Sequence, residues 1–220
     1  MFTGIIQATA PVLSATTRGG CRAVRIRKPA RWRLALGQSV SVDGICSTVI
    51  RRAAGSFDVE YMPETLSKTT ASAFSKGCIV NLERPLAFGA PLDGHLVQGH
   101  VDARGRVAVV AELGRAREII IAVSKVLARH ITLHGSVAIN GVSLTVARLP
   151  APRLRQADKR GISFTVALVP YTLAHTNLAR LNTGDEVNVE ADRAAMRSLA
   201  TSRRGATVSR DAKKALRKRG

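Results

Sequence analysis

Aromatic side chains make up only 4% of this 220-residue chain. Stacking platforms of the kind that single-stranded nucleic-acid binders use are therefore scarce. Cysteine is also rare. The three present, Cys21, Cys46 and Cys78, are an odd number and form no C-x-x-C pair. That spacing argues against a disulfide framework or a structural zinc site, and fits a reducing cytoplasm. No apolar run approaches the roughly 18 residues that a membrane span needs. The opening Met1-Phe2-Thr3-Gly4-Ile5-Ile6-Gln7 lacks the basic start and apolar stretch of a secretory signal.

Acids are few as well: 15 against 34 Lys and Arg, a net charge of +19. Such a balance raises a nucleic-acid hypothesis. Much of the charge is scattered singly, as at Arg18, Arg51, Arg84, Arg104 and Arg148. From Arg193 to Gly220 it concentrates, with ten basic residues and one acid, Asp211. A solvated basic tail explains this pattern more simply than a nucleic-acid site does. With 45% hydrophobic residues the rest of the chain can bury real cores.

The chain repeats itself. Ser39-Val40-Ser41-Val42-Asp43-Gly44-Ile45-Cys46-Ser47-Thr48-Val49 returns 97 residues later as Ser136 to Val146, with Asn140-Gly141 in place of Asp43-Gly44. The Phe57–Leu66 block returns at Phe164–Leu173, and Gly77–Glu83 at Gly184–Glu190, both at an offset of 107. The extra ten residues fall between Val146 and Phe164, where Pro150, Pro152, Gly161 and several charges mark a surface loop. Within each copy, alternating segments such as Phe57-Asp58-Val59-Glu60-Tyr61, cut by Asp-Gly or Asn-Gly turns, read as short strands. Short helices fit Pro63 to Ser75 and Pro170 to Leu181, and a longer one fits Ala191 to Ala200. The expected architecture is all-β: two tandem six-stranded antiparallel barrels and a C-terminal helix. The expected boundaries are residues 1–95, 96–192 and a tail at 193–220.

The start motif, the D/N-G-x-[CS]-x-T-V turn in both halves, the two P-x-T-L blocks, the V-N-[LV]-E endings and Gly94-His95-Leu96-Val97-Gln98-Gly99-His100-Val101 together resemble the two-barrel type of riboflavin synthase. The resemblance runs from Met1 to about Asp192. It implies Greek-key barrels, each binding one 6,7-dimethyl-8-ribityllumazine, in a homotrimer held partly by C-terminal helices. Two lumazines would exchange a four-carbon unit where barrels of neighbouring subunits meet. The resemblance implies no metal or redox cofactor, and it adds a possible association with lumazine synthase.

The resemblance also assigns residues. Gly4, Ile5, Ile6, Cys46, Ser47, Thr48 and Glu60, Tyr61, Met62, Pro63, Glu64 and Thr65 would line a first pocket. Gly99, His100, Val101, His134, Asn140, Ser143, Leu144, Thr145, Ala167, Leu168, Val169, Pro170, Tyr171 and Thr172 would belong to a second. Phe2, Cys46, His100, Ser143 and Thr145 would carry the chemistry, Cys46 as a polarisable nucleophile or contact and His100 in proton transfer. Gly44 and Gly141 read first as turn formers. His130 and His134, four apart, suggest a metal pair, but a strand follows and a third ligand is not evident. Five positions depart from the family pattern: Asp43 for asparagine, Ser47 for leucine, His134 for lysine, Asn140 for an acid and Tyr171 for glutamate. They leave open a non-catalytic lumazine- or flavin-binding protein of the same fold.

Overall fold

The computed structural model describes residues 1–150 and 162–193. In the first repeat, β1 (Ala8–Arg18) and β2 (Cys21–Arg27) form a hairpin across Gly19-Gly20, both at positive φ. Next come β3 (Ser39–Val42), β4 (Ile45–Thr48), β5 (Arg51–Arg52), β6 (Ser56–Tyr61), helix α1 (Pro63–Lys68) and β7 (Ile79–Glu83). The second repeat has β8 (Ala103–Leu113), β9 (Ala116–Val123), a single-turn α2 (Lys125–Ala128), β10 (Ser136–Ile139), β11 (Val142–Arg148), β12 (Ile162–Leu168), α3 (Pro170–His175) and β13 (Glu186–Ala191). Proline opens α1 and α3, where its missing N–H costs nothing. Each helix leads into a 3-10 turn whose cap, Thr69 or Thr176, accepts a backbone N–H through its hydroxyl.

The second repeat closes into a six-stranded barrel in the order β10-β11-β12-β9-β8-β13. The first runs β4-β3-β7-β1-β2-β6-β5, a curled seven-stranded sheet with the same topology. The difference lies in one strand. At the offset of 97, β11 corresponds to β4 plus β5. The first repeat breaks that strand at Val49-Ile50, so the two ends of its sheet are consecutive in the chain and curl towards each other.

Each repeat buries its own apolar core. Val24, Ile26, Val40, Phe57, Val59 and Leu82 lie at the centre of the first, and Val107, Ile121, Val137, Phe164, Val166 and Leu178 at the centre of the second. Two segments leave their own repeat: Ile6 packs against the second core and Val101 against the first. The expected helix beginning at Ala191 is corrected at its first residue, which is the buried end of β13. The rest of that helix, the tail, and the insertion loop from Ala151 to Gly161 lie outside the described residues. Among the described residues no helix is long and apolar enough to cross a membrane.

Candidate functional site

The two repeats meet at a local two-fold axis. Phe2 N–H donates to Val97 O at 2.7 Å and Val97 N–H to Phe2 O at 3.1 Å, an isolated antiparallel bridge between equivalent positions of the two copies. Phe2, Val97 and Ala138 are buried there as a small cluster with Cys46 against it. Beyond the bridge each segment crosses to the other barrel. Gly4 O accepts from Ser143 N–H at 2.8 Å on β11, and Gly99 O accepts from Cys46 N–H at 2.8 Å on β4.

Two buried glutamates hold these crossings. Glu83 accepts from Thr3 N–H and Thr3 Oγ1, both at 2.7 Å, and from Gly4 N–H at 3.0 Å. Its equivalent, Glu190, accepts from Gln98 N–H at 2.7 Å and Gly99 N–H at 2.9 Å. Burial pushes both carboxyls above their ordinary range, and the amide hydrogen bonds oppose that shift. The approach is too close for any side chain: a Cβ on Gly99 would sit 2.7 Å from Cys46 Cβ, and one on Gly4 2.6 Å from Ser143 Cβ.

The crossing corrects the expected division of residues between pockets. A cavity of about 260 Å³ beside the first barrel is lined by Ile45, Cys46, Glu64, Thr65, Lys68, Thr69, Gly99, His100 and Val101. His100 therefore belongs with Cys46, and Gly4 with Ser143. The division drawn from the resemblance gives each segment to the barrel it precedes. The bridge at the two-fold sends it to the other one.

Pleating decides which strand residues reach these sites. Along β4, Ile45 and Ser47 point inward while Cys46 and Thr48 point out; along β11, Ser143 and Thr145 point out while Leu144 is buried. Ser47 hydrogen-bonds the Tyr61 hydroxyl at 2.9 Å inside the first barrel, and burial pushes that phenol up. Leu168 is a core residue of the second barrel. Among the assigned residues, Ser47, Tyr61, Leu144 and Leu168 thus form the walls behind the sites. Glu60, Met62, Pro63, Ala167, Val169 and Pro170 lie exposed at the strand-to-helix corners.

The flanking helices differ. Glu64 and Lys68 on α1 form an exposed ion pair at 2.7 Å, and Lys68 holds the Glu64 carboxyl below its usual value. At the equivalent positions on α3, Tyr171 and His175 stack with ring centroids 4.0 Å apart. Thr65 and Thr172 occupy matching places on the two helices. His134 is exposed at a turn with φ 61°, its N–H on Val146 O. Because α2 ends at Ala128, His130 and His134 do not share a helix face. No metal-ligand cluster occurs among the described residues.

Asn140 has another setting. The Asp43-Gly44 and Asn140-Gly141 turns pack against each other, so a Cβ on Gly44 would lie 2.6 Å from Gly141 N. Asp43 Oδ1 accepts from Asn81 N–H at 2.6 Å and from Asn177 Nδ2 at 2.9 Å; Asn140 Oδ1 accepts from Asn188 N–H at 2.8 Å. Asn81 and Asn188 donate back across the interface to Asn140 O and Asp43 O. The exchange of acid and amide between the turns therefore falls in a buried interdomain network. Asn177, contributed by the second repeat, serves the acid from the first, whereas the equivalent first-repeat position is Thr70.

Burial raises the Asp43 carboxyl to about 7, against the two hydrogen bonds. A folded-state value above the unfolded one favours folding at low pH, and that contribution is lost as pH rises from about 4 through about 7. Asp43→Asn keeps the accepting oxygen and removes the charge. The variant should gain stability over the wild type across that window, by roughly 2–4 kcal/mol at pH 8 and little at pH 4. Urea unfolding of both proteins at several pH values checks it, and a pH-independent difference would refute it.

His95, Glu83, Glu190, Asn81, Asn177 and Asn188 are not among the site residues expected from the sequence, although all but Asn177 stand in motifs that carry the resemblance. Four of them stand in the doubled V-N-x-E ending. Two polar residues in each copy of an otherwise apolar strand were the available signal.

Fold and site together define a tandem β-barrel protein in which a segment of each repeat crosses to the other, meeting β4 at a cavity beside the first barrel and β11 at the equivalent position of the second. The sequence matches the lumazine binding domain over residues 3–85 and 98–192. It is 33% identical to riboflavin synthase of Bacillus subtilis (strain 168), over 87% of this chain and 85% of that one. It is 35% identical to riboflavin synthase of Mycobacterium tuberculosis (strain ATCC 25618 / H37Rv), over 87% and 93%. Crystal structures of LumP complexed with riboflavin and with 6,7-dimethyl-8-(1'-D-ribityl) lumazine superpose with TM-scores of 0.76 and 0.74 at 23% and 21% identity, over 87% of this chain and 99% of theirs. That likeness concerns the fold. The chain belongs to the riboflavin synthase family, and it is an enzyme of the transferase class.

Proposed function

We propose that the chain catalyses the dismutation of two molecules of 6,7-dimethyl-8-ribityllumazine into riboflavin and 5-amino-6-(D-ribitylamino)uracil, the final step of riboflavin biosynthesis. One molecule gives up a four-carbon unit and the other takes it up. The two products contain the atoms of the two substrates, so the stoichiometry calls for no outside oxidant or reductant. What such a reaction needs from a protein is two like molecules held in register and protons moved at the ring methyls.

The observation that carries this reading is the inequality of the two sites. Cys46 and His100 converge on the first, whereas Ser143 stands at the Cys46 position of the second. Identical ligands with opposed roles require pockets that are similar but not the same. A cavity of about 260 Å³ is small beside the roughly 300–1,000 Å³ of sites that enclose a ligand. This supports a site completed by a second barrel, in a homotrimer that pairs the first barrel of one subunit with the second barrel of its neighbour. The three free cysteines support a cytoplasmic setting.

Purified protein incubated with the lumazine alone should produce riboflavin, followed by its absorbance, at an undiminished rate in the presence of a metal chelator. Saturable binding without product would establish the second reading, a lumazine-binding protein, to which the LumP likeness gives its weight. A monomer that turns over would contradict the intersubunit site.

A further inference from the structure

The Gly94–Val101 segment carries two histidines, and the crossing at the local two-fold sends them to opposite barrels. His100 follows the bridge and lines the first pocket. His95 precedes it and is buried against the second barrel, with Nδ1 2.7 Å from Ser143 Oγ. The backbone around it is tightly held: His95 N–H donates to Thr3 O at 3.1 Å, and a Cβ on Gly94 would lie 2.1 Å from the same oxygen.

The other ring nitrogen identifies the tautomer. His95 Nε2 is buried and has no hydrogen-bond partner among the described residues. A buried orphan N–H is rarer and more costly than an under-used acceptor. The proton therefore sits on Nδ1, which donates to Ser143 Oγ. Burial also lowers the histidine's affinity for a second proton, against the opposing charge of Asp192. A neutral imidazole donating to Oγ occupies one lone pair of the serine and leaves its O–H free.

We infer that His95 is a positioning residue for the second pocket, fixing the Ser143 hydroxyl as a hydrogen-bond donor toward an acceptor on the bound heterocycle, such as a ring carbonyl or nitrogen. One eight-residue motif thereby supplies an imidazole to each site in a different capacity: His100 at the open face of the first, and His95 behind the reactive face of the second. This inference rests on the proposed lumazine-binding reading.

The test uses riboflavin as probe, titrated into the full-length protein by fluorescence quenching. The wild type should bind at two sites per chain. Ser143→Ala should weaken one site about tenfold, the scale of one lost hydrogen bond, and leave the other unchanged. His95→Leu should weaken the same site by a similar factor, and the double variant should be no worse than either single one. His95→Asn, whose amide N–H can stand in for Nδ1–H, should recover most of the loss. His95→Gln, whose amide reaches toward the Nε2 position, should not. Asparagine and glutamine variants with equal affinity would mean that His95 only fills space, and would overturn the inference. Equal weakening of both sites, or losses that add in the double variant, would do so too. Independently of ligand, nitrogen-15 NMR should show a neutral His95 protonated at Nδ1, and an Nε2-protonated ring would refute the assignment. If the wild-type protein bound riboflavin at neither site, the functional reading would fall and this inference with it.

Discussion

Replacing Cys46 by alanine should lower riboflavin formation roughly a hundredfold or more, the scale of lost positioning or proton handling at a reacting centre. The fold should survive, because the half-buried side chain points out of β4 and alanine removes only the sulfur. His100→Ala should act on the same pocket. The combined variant should therefore fall well short of the product of the two separate losses. Ser143→Ala damages the other barrel. If the working site joins the first barrel of one subunit to the second barrel of a neighbour, a mixture of Cys46→Ala and Ser143→Ala chains, dissociated and reassembled, should regain activity. An interface built from two undamaged barrels exists only in such mixed assemblies. Mixing Cys46→Ala with His100→Ala should restore nothing, because Cys46 and His100 line the same cavity and both chains then carry a damaged first-barrel site. Recovery in that second mixture would show that the two residues belong to different sites.

Gly99→Ala should be as damaging by another route. The glycine has φ +80°, where an L side chain costs about 1–2 kcal/mol. The added methyl would also meet Cys46 Cβ at 2.7 Å, with Cys46 N and Cα close behind. Relief requires the crossing segment to lift away, which breaks the Cys46 N–H to Gly99 O bond and strains the two amide bonds to Glu190. We expect riboflavin stoichiometry to drop from two sites per chain to one, with activity lost and the second barrel's site intact. Gly4→Ala should produce the mirror result, removing the Ser143 site and sparing Cys46. Loss of both sites from either single change would mean that the two crossings form one cooperative unit.

Much of this organisation was legible in the sequence, for a physical reason. Strand alternation and Asp-Gly or Asn-Gly turns are local, and duplication writes them twice, so the β architecture and the equivalence of Cys46 with Ser143 followed directly. The same period-two rule separates Cys46 and Thr48 from Ser47, although reading the whole turn as pocket lining blurred that distinction. Which barrel Gly4 and Gly99 serve was not legible. It depends on a bridge between Phe2 and Val97 that leaves no local pattern. The exchange of Asp43 and Asn140 looked like damage to a pocket because its partner, Asn177, lies 134 residues away from Asp43. The place of His95 was not legible, since it rests on one long-range contact to Ser143 and on the burial of its far nitrogen.

The crossed segments bear on how the chain matures during synthesis. Chains emerge from the ribosome N-terminus first, and domains generally fold as units in that order. The first barrel can assemble its core once Glu83 has appeared, yet its cysteine site still lacks a wall until Gly99 and His100 follow. The opening residues wait longer: Gly4 finds Ser143 only after most of the second repeat has been made. Neither site is finished on a nascent half-protein, so both are completed only when the two repeats have folded against each other.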